Sequence, residues 1–447
     1  MLSNRIQVPF FCQKSQTTFF STLPISRIFF GATICSLFFD AYPLFPSVYK
    51  PLGLLPITLF FFIGGYFLVR RKVFIPGYHF LLLFFFLYGF LISLVKAIFQ
   101  YNSFLGWSDY SVTVLLGIIS YIGLFGMLHF FRPNQGTIER VLVSIGILFL
   151  VVAYLEFAAI FHLVPYQVKE ILNKVLTMKS SPRLLLVNNE PSWASMTLLF
   201  FFGVFFSLGK KKLVIFSVIA ILLSFSLKGV FILSLFFLLS FLKSKPSISN
   251  FGFLLLLFIV LLLVFFVLPN IVSFLGLNQT YFGLRLIQFS QTFLDEQSLR
   301  GAFLFLEETS YVRFAYPLLG IKVFENFPLG VGGGNFRYEF NKLAFQEFDR
   351  IDSEISYNME HLNGNPKNIY SRALSEQGII GAFLFIWMGF LFFQAKGNQL
   401  VQNLLLIFYI TFLQFDSYVF LPFILVVVLA DYWATFSKEL NLRGREK

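Results

Sequence analysis

"KKKLVIFSVIAILLSFSLKGVFILSLFFLLSFLKSK" spans residues 210–245 and decides the topology of the whole chain. Its apolar part, residues 213–242, has 30 positions. That is too long for one ordinary membrane span of about 20 residues and short for two. Basic clusters flank both ends, and such clusters stay on the cytoplasmic side of a membrane. Two short helices that turn at Lys228 and Gly229 satisfy both constraints, because they return the chain to the side it left.

The composition of the whole chain also indicates an integral membrane protein. Of its 447 residues 57% are hydrophobic, 13% are charged and 67 are Phe, and the mean hydropathy is +0.78. Soluble domains average about 25% charged residues. The net charge of +12 suggests nucleic acid at first sight. However, the Lys and Arg residues fall in short clusters between apolar runs, as orientation signals do, so we expect no nucleic-acid partner.

The apolar runs predict an all-α polytopic membrane protein with about twelve transmembrane helices. Besides the two helices in 213–242, spans are expected near 23–39, 51–69, 78–99, 111–131, 141–164, 192–209, 251–275, 377–395, 399–413 and 417–436. With this count every tight basic cluster and both termini lie in the cytoplasm. The first run is interpreted as a retained helix rather than a signal peptide. Cys12 and Cys35 give neither a disulfide framework nor a metal-binding spacing.

Three regions follow from this topology. Residues 1–275 form a membrane bundle of about nine spans, residues 276–376 form one large loop, and residues 377–447 hold the last spans and a cytoplasmic tail. The large loop falls on the extracytoplasmic side. Its stretch "FRYEFNKLAFQEF" (336–348) has aromatic and apolar residues at roughly helical spacing, which predicts an amphipathic helix resting on the bundle or interface.

Polar residues cluster where the chain is predicted to face outward. "RLLLVNNEPSW" (183–193) places Glu190 before Pro191, which suits the first turn of a helix. Glu190 is either a carboxylate favoured by the helix N-terminus or a group that acts on a substrate. Lys228 either snorkels to the interface or marks a functional site. Glu156, within a predicted span, is either a buried partner or a substrate group.

Two stretches of the large loop contain further candidate functional residues. "FENFPLGVGGGNF" (324–336) is rich in glycine, and consecutive N–H groups in such a turn can form an anion-binding nest. A plain connection between two helices is the interpretation that local sequence favours. "HLNGNPKNIYSRALSEQGIIG" (361–381) leads from a polar turn into a span. His361 in it is either a surface residue or an acid, base or donor near neutral pH. Gly378 and Gly381 predict close helix contact.

Arginines and a lysine around one outward cavity suit a phosphate or pyrophosphate, because guanidinium binds phosphate oxygens bidentately. The membrane setting suggests that the phosphate belongs to a lipid. No acidic pair such as Asp-x-Asp lies on the outer side, so the cations themselves are expected to neutralise the leaving group. We therefore predict no cofactor and no metal.

The chain resembles the O-antigen ligase/polymerase superfamily of bacterial envelope enzymes. Most of the chain resembles this superfamily in topology. Four stretches also resemble its motifs, namely "NNEPSWASM", "SFSLKGV", "YVRFAYPLLGIKVFENFPLGVGGGNF" and "KNIYSRALSEQGIIG". Their order and their positions relative to the spans match the family. The resemblance implies an enzyme of the bacterial inner membrane whose active site faces the periplasm.

The resemblance also implies the reaction and the roles of residues. A glycan is transferred, with inversion, from undecaprenyl pyrophosphate to a hydroxyl of another lipid-linked repeat unit. Arg313 and Arg183 are expected to bind the pyrophosphate, Arg313 at the reaction centre, with Lys228 and Arg285 assisting. Glu190 or His361 is expected to orient or deprotonate the acceptor. The remaining predicted substrate-binding residues are Lys367 and Asn368.

One departure favours the polymerases over the ligases. In the ligases a functional His precedes the Asn that corresponds to Asn368, and here that position is Lys367. "NNEPSW" resembles the corresponding segment of the polymerases.

The rival hypothesis within the family is a ligase that transfers glycan to lipid A-core. Outside the family, the chain could be a transporter of lipid-linked sugar, which tends to show repeated halves, or a docking membrane protein. Whether a chain-length regulator binds is left open.

Overall fold

The structure is a computed structural model that describes residues 24–39, 52–70, 76–176, 184–186, 188, 191–224, 226–243, 308–348, 351–415 and 417–445. All regular elements within these ranges are helices, which confirms the all-α class. They are α1 (Pro24–Ser36), α2 (Leu54–Arg70), α3 (His79–Lys96), α4 (Leu105–Phe131), α5 (Gln135–Ile160), α6 (Gln167–Leu176), α7 (Pro191–Ser207), α8 (Lys211–Leu223), α9 (Leu227–Lys243), α10 (Glu308–Asn326), α11 (Phe336–Glu347), α12 (Ser353–Glu360), α13 (Ile369–Gln377), α14 (Ala382–Gln394), α15 (Gln399–Thr411) and α16 (Leu421–Arg445).

Four helical segments in the described ranges are long and apolar enough to cross a membrane. They are His79–Tyr101, Leu105–Phe131, Gln135–Ile160 and Ile369–Gln394. Further apolar helices are shorter, namely Leu54–Val69, Trp193–Ser207, Lys228–Ser240, Gln399–Gln414 and Leu421–Ala434. The chain is therefore a helical membrane protein. The number of twelve spans stays a prediction, and the predicted span at 251–275 lies outside the described residues.

The long apolar run at 213–242 does contain two helices. Helix α8 ends at Leu223 and α9 begins at Leu227. The break therefore lies three to four residues before the predicted turn at Lys228 and Gly229. Serines explain the shift, because the Ser224 hydroxyl bonds back to the Ile221 carbonyl at 2.7 Å and Ser226 Oγ accepts from the Gly229 N–H at 3.3 Å. Side chains of this kind compete with helix hydrogen bonds and favour caps.

Helix α7 lies at the centre of the bundle. Its side chains are buried from Ala194 to Phe205, and it packs against α5, α8, α9 and α15. Aromatic pairs such as Phe38–Phe201, with ring centroids 4.8 Å apart, fill the contacts. Pro191 is the first helical residue, as predicted. The predicted polar stretch at 183–193 thus leads directly into the most enclosed helix of the described bundle.

A buried carboxylate ties four helices together. Asp431 of α16 accepts hydrogen bonds from His79 Nε2 at 2.8 Å, Tyr121 Oη at 2.8 Å and Gln394 Nε2 at 3.3 Å. Trp387 Nε1 donates to His79 Nδ1 at 3.2 Å, which assigns the His79 proton to Nε2. Donors from α3, α4 and α14 satisfy this carboxylate, as a charge in apolar surroundings requires.

Helices α2 and α4 pack closely through small residues, and neighbouring glycines provide a matched test. A Cβ added to Gly64 collides with the Ile122 carbonyl oxygen, whereas one added to Gly65 meets nothing within 4 Å. We expect Gly64→Ala to destabilise the protein by about 1–3 kcal/mol through overpacking. Gly65→Ala should be neutral or slightly stabilising, because Ala is the better helix former by roughly 1 kcal/mol. Thermal unfolding in detergent checks this, and equal melting temperatures for the two variants would contradict the close packing of α2 on α4.

A second hydrophobic core lies in the part of the chain from Tyr311 to Ile355. Residues of α10, α11 and α12 build it, with Tyr316, Phe336, Phe340 and Ile355 almost fully buried. The ring of Tyr316 packs against Phe340 at 4.7 Å. The predicted helix in "FRYEFNKLAFQEF" is confirmed as α11. Helix α10 also packs on α13, so this core adjoins the final helices of the chain.

Candidate functional site

Residues 412–420, which connect α15 to α16, bring several sequence motifs together. We call them the 412–420 segment; Asp416 in it lies outside the described residues. The Trp193 ring packs on Phe415 at 5.1 Å, and Lys228 Nζ lies 5.4 Å from the centroid of the same ring. Asn368 Nδ2 donates to the Leu413 carbonyl at 2.7 Å. Motifs that lie far apart in the sequence thus meet on one short segment.

Lys228 is the buried cation of this site. Only 4% of Lys228 is exposed, and it interacts with its surroundings beyond the contact with Phe415. The start of α9 lies tight against α7, because Ser195 Oγ donates to Ser226 Oγ at 3.0 Å and a Cβ at Gly229 would lie 2.9 Å from that of Ser195. A buried ammonium at a helix start is a candidate anion ligand.

A second charged cluster borders the segment, and sequence reasoning did not assign it to the site. Arg372 Nε lies 3.1 Å from Glu376 Oε1, and the guanidinium stacks 4.7 Å from the centre of the Tyr418 ring. The Tyr418 hydroxyl lies 3.3 Å from Glu376 Oε2. Gln377 Nε2 donates to the Tyr110 hydroxyl at 3.0 Å. A charged pair four residues apart, shortly before the apolar run of α14, was the available signal.

The glycine-rich stretch connects α10 to α11, and backbone N–H groups in it already donate hydrogen bonds within the protein. The N–H groups of Val331 and Gly332 donate to the carbonyls of Ser375 at 2.9 Å and Glu376 at 2.7 Å. The Gly334 N–H lies near the Glu376 carboxylate. Gly332 and Gly334 have φ of +89° and +75°, which glycine adopts without strain. The anion in this turn is therefore the protein's own carboxylate, and the plain-connection interpretation is correct.

Gly378 makes a close contact, as predicted, but its partner is the glycine-rich connection between α10 and α11 and not another helix. Its φ is +60°, and a Cβ there would collide with the carbonyl oxygen of Pro328. The Ile379 N–H donates to the same carbonyl at 2.9 Å. At Gly381 the nearest backbone belongs to Ala373 of α13. Gly378 thus fits the end of α13 against the connection between α10 and α11, and Gly381 lies close to α13 itself.

Arg313 and Lys367 lie beside the hydrophobic core that α10, α11 and α12 build. Arg313 is partly buried on α10, one turn before Tyr316, and Lys367 Nζ lies 5.9 Å from the centroid of the Tyr316 ring. Lys367 also pairs with Glu354 at 3.3 Å. Asn368 caps α13 by accepting from the Tyr370 N–H at 2.8 Å. Lys367 thus directly precedes the N-terminus of a helix, where anions are favoured.

His361 stands apart from this group. It is exposed at the end of α12, its ring stacks on Tyr357 at 4.1 Å, and its Nδ1 lies 2.9 Å from the Tyr357 carbonyl. Neither of these two interactions involves Asn368 or Lys367. The predictions for Arg183, Glu190 and Arg285 concern positions outside the described residues.

A mostly apolar cavity of about 240 Å³ opens beside the segment. Trp193, Phe420 and Leu116 contribute apolar walls, and Asn188, Thr197 and Ser417 contribute polar atoms. Asn188 Nδ2 donates to Thr197 Oγ1 at 3.2 Å. Such a mixture of apolar walls and few polar groups is typical of ligand sites. Among the described residues, no cluster of three or more His, Cys, Asp or Glu could hold a metal ion.

Comparison with family models, curated proteins and solved structures gives no significant match to this chain.

Proposed function

We propose that this protein polymerises lipid-linked oligosaccharide repeat units at the periplasmic face of a bacterial inner membrane. The proposal includes twelve spans with both termini in the cytoplasm. Its donor is a glycan on undecaprenyl pyrophosphate, and its acceptor is a second lipid-linked repeat unit. The observation that carries it is the meeting of Trp193, Lys228 and Asn368 on the 412–420 segment.

The chemistry suits this arrangement. An acceptor hydroxyl attacks the anomeric carbon of the donor, the bond from that carbon to the pyrophosphate oxygen breaks, and the lipid pyrophosphate leaves. The acceptor proton passes to a base, for which Glu190 or His361 is proposed. Lys228 and Arg313, with Arg183 and Arg285, are the cations proposed to offset the charge that develops on the leaving pyrophosphate. Lys367 and Asn368 are proposed to contact the substrate at the start of α13.

The cavity beside the segment adds support. Its apolar walls offer a place for part of a lipid chain, and Asn188 and Ser417 contribute polar atoms. A lipid pyrophosphate needs both surroundings within a few ångström, since its chain avoids water and its phosphates require donors or cations.

The product of a deletion strain tests the reaction class. Loss of the gene should leave a surface glycan of a single repeat unit, which complementation restores to a ladder of lengths. A strain without surface glycan that accumulates lipid-linked polymer would instead indicate a ligase and would contradict the polymerase proposal. Neighbouring genes for glycosyltransferases and a flippase would agree with a polymerase.

Arg313→Ala provides a site-specific test with a control on the same helix. We expect polymer formation to fall on the order of 100-fold, because a cation that offsets charge in the transition state is removed. Lys322→Ala is the matched control, since Lys322 is exposed and pairs with Glu325 at 3.2 Å. Ladder length is measured in the complemented deletion strain at equal protein levels. A wild-type ladder for Arg313→Ala would remove Arg313 from the site, and Arg183→Ala tests its proposed partner in the same way.

A further inference from the structure

Helix α6 turns polar side chains toward the protein. Its sequence is "QVKEILNKVL", and Lys169 and Asn173, four residues apart, are buried in it. The ring of Tyr166 lies 5.7 Å from Lys169 Nζ, and the helix packs against α5. Residues four positions apart share one face of a helix, so the face that α6 turns to the bundle is polar. A surface helix of a soluble protein buries its apolar face instead.

The other two faces of α6 are exposed, and they differ in polarity. Ile171 and Val175 are 61% and 65% exposed and form an apolar face. Glu170 and Lys174 are also exposed and form a charged face. The buried, charged and apolar pairs begin at consecutive residues, so their faces point about 100° apart. A helix with this pattern fits a boundary at which protein, water and lipid meet.

The position of α6 in the chain matches such a boundary. It follows α5, one of the segments that are long and apolar enough to cross a membrane. With 26 residues, α5 is about 39 Å long at roughly 1.5 Å per residue, whereas the hydrocarbon core of a bilayer is about 30 Å thick. A spanning α5 therefore ends near the lipid headgroups, where α6 begins. With 10 residues, α6 is itself too short to cross a bilayer.

Exposed apolar residues also continue from α5 toward α6. Leu148, Val151 and Leu155 are 52%, 52% and 41% exposed along α5, as suits a helix side that faces lipid. Leu163, in the connection between the two helices, is 78% exposed. The apolar face of α6 thus follows an apolar surface that a membrane span already presents.

We propose that α6 lies in the membrane interface at the end of α5, with its apolar face in the bilayer. Ile171 and Val175 contact lipid, while Glu170 and Lys174 face the water. Interfacial helices of this kind bury their apolar face about 5–10 Å into the boundary between headgroups and acyl chains. The partner is the bilayer itself rather than an anionic lipid, because the charged face carries one acid and one base.

The location of α6 has a consequence for the proposed site. Helix α5 holds both α6 and the backbone that precedes α7, since Glu156 of α5 accepts from the Leu185 N–H at 3.1 Å and from the Leu186 N–H at 2.8 Å. Asn188, shortly after them, lines the cavity. An α6 fixed in the interface therefore keeps this stretch at the depth of lipid headgroups, where the pyrophosphate of a lipid-linked donor lies. This consequence rests on the proposed function, whereas the location of α6 does not.

Fluorescence quenching in lipid nanodiscs tests the location. A dye is attached to a single cysteine at Ile171, Val175 or Lys174 of the full-length protein. The natural cysteines are removed by Cys12→Ser and Cys35→Ser. Dyes at Ile171→Cys and Val175→Cys should lose more fluorescence to lipids with a nitroxide near the glycerol than to lipids with one at the chain end, because the expected depth is about 5–10 Å. Lys174→Cys, the matched control on the charged face, should be quenched by aqueous iodide instead.

Two results would overturn the proposed location. Iodide quenching at Ile171→Cys and Val175→Cys as strong as at Lys174→Cys would place the apolar face in water. Protection of both positions from iodide and from the lipid quenchers would show that protein covers this face, and short distances between spin labels on two copies of Val175→Cys would identify a second copy as the cover. Lipid quenching should also be equal with and without anionic lipid, since the apolar face alone makes the contact.

Transfer kinetics separate the location from its consequence. Ile171→Asn/Val175→Asn should raise the KM for the lipid-linked donor about tenfold with a smaller change in kcat, since a displaced binding region weakens donor and transition state alike. Lys174→Asn, a change on the charged face, should behave as wild type. Lipid quenching in a protein without any transferase activity would keep the location of α6 and refute the function. Lipid quenching together with unchanged kinetics in the double variant would refute the consequence for the donor.

Discussion

Lys228→Met should reduce polymer formation on the order of 100-fold at normal protein levels, because the buried cation of the site is removed while its volume is retained. Lys228 is 4% exposed and lies beside Phe415, where the motifs converge. Methionine fills the space of a lysine chain without its charge, so the bundle should stay folded. Product ladders and turnover in proteoliposomes measure the loss.

Two controls make this result specific. Lys228→Arg retains the charge and should keep a substantial part of the activity, because a guanidinium also binds phosphate oxygens. Lys211→Met removes an exposed lysine at the start of α8 and should behave as wild type. If Lys228→Met polymerises normally, the lysine only snorkels or packs, and the convergence on the 412–420 segment is structural.

Glu376→Ala should lower the free energy of unfolding by about 3–5 kcal/mol, the cost of leaving a buried charge without its partner. Glu376 is 2% exposed and contacts Arg372, the Tyr418 hydroxyl and the Gly334 N–H. Its removal frees these groups together, while the backbone hydrogen bonds between α13 and the glycine-rich connection remain. Thermal unfolding in detergent measures the change.

Glu354→Ala is the control for Glu376→Ala in the same part of the chain. Glu354 also pairs with a cation, Lys367, but its side chain is 30% exposed. Partly exposed pairs contribute only about 0–1 kcal/mol, so the melting temperature should barely change. Similar losses for the two variants would show that burial does not set the importance of these pairs.

Local sequence patterns predicted the features that depend on near neighbours. The all-α class, the break in 213–242, the helix start at Pro191 and helix α11 follow from apolar runs, serines, proline and aromatic spacing. The break was misplaced by several residues, because periodicity does not show which serine caps a helix. Glu156 proved to be a buried partner, one of the two roles expected for it.

Long-range pairs were not predictable from such patterns. Glu376 and Tyr418 are 42 residues apart, and His79 and Asp431 are 352 apart. A single sequence does not reveal that these side chains meet. The donors of the glycine-rich turn illustrate the same limit, since they bond to carbonyl groups of α13 that only the tertiary fold brings near.

Transfer by the purified protein tests the central proposal most directly. The full-length protein is reconstituted in proteoliposomes with an undecaprenyl-pyrophosphate-linked repeat unit, and the products are separated by length. We expect a ladder of lipid-linked oligomers with release of one undecaprenyl pyrophosphate for each bond formed, and no ladder with Lys228→Met. A wild-type protein that is folded and binds this lipid but forms no oligomer, or a ladder that Lys228→Met makes equally well, would contradict the proposed polymerase and its site.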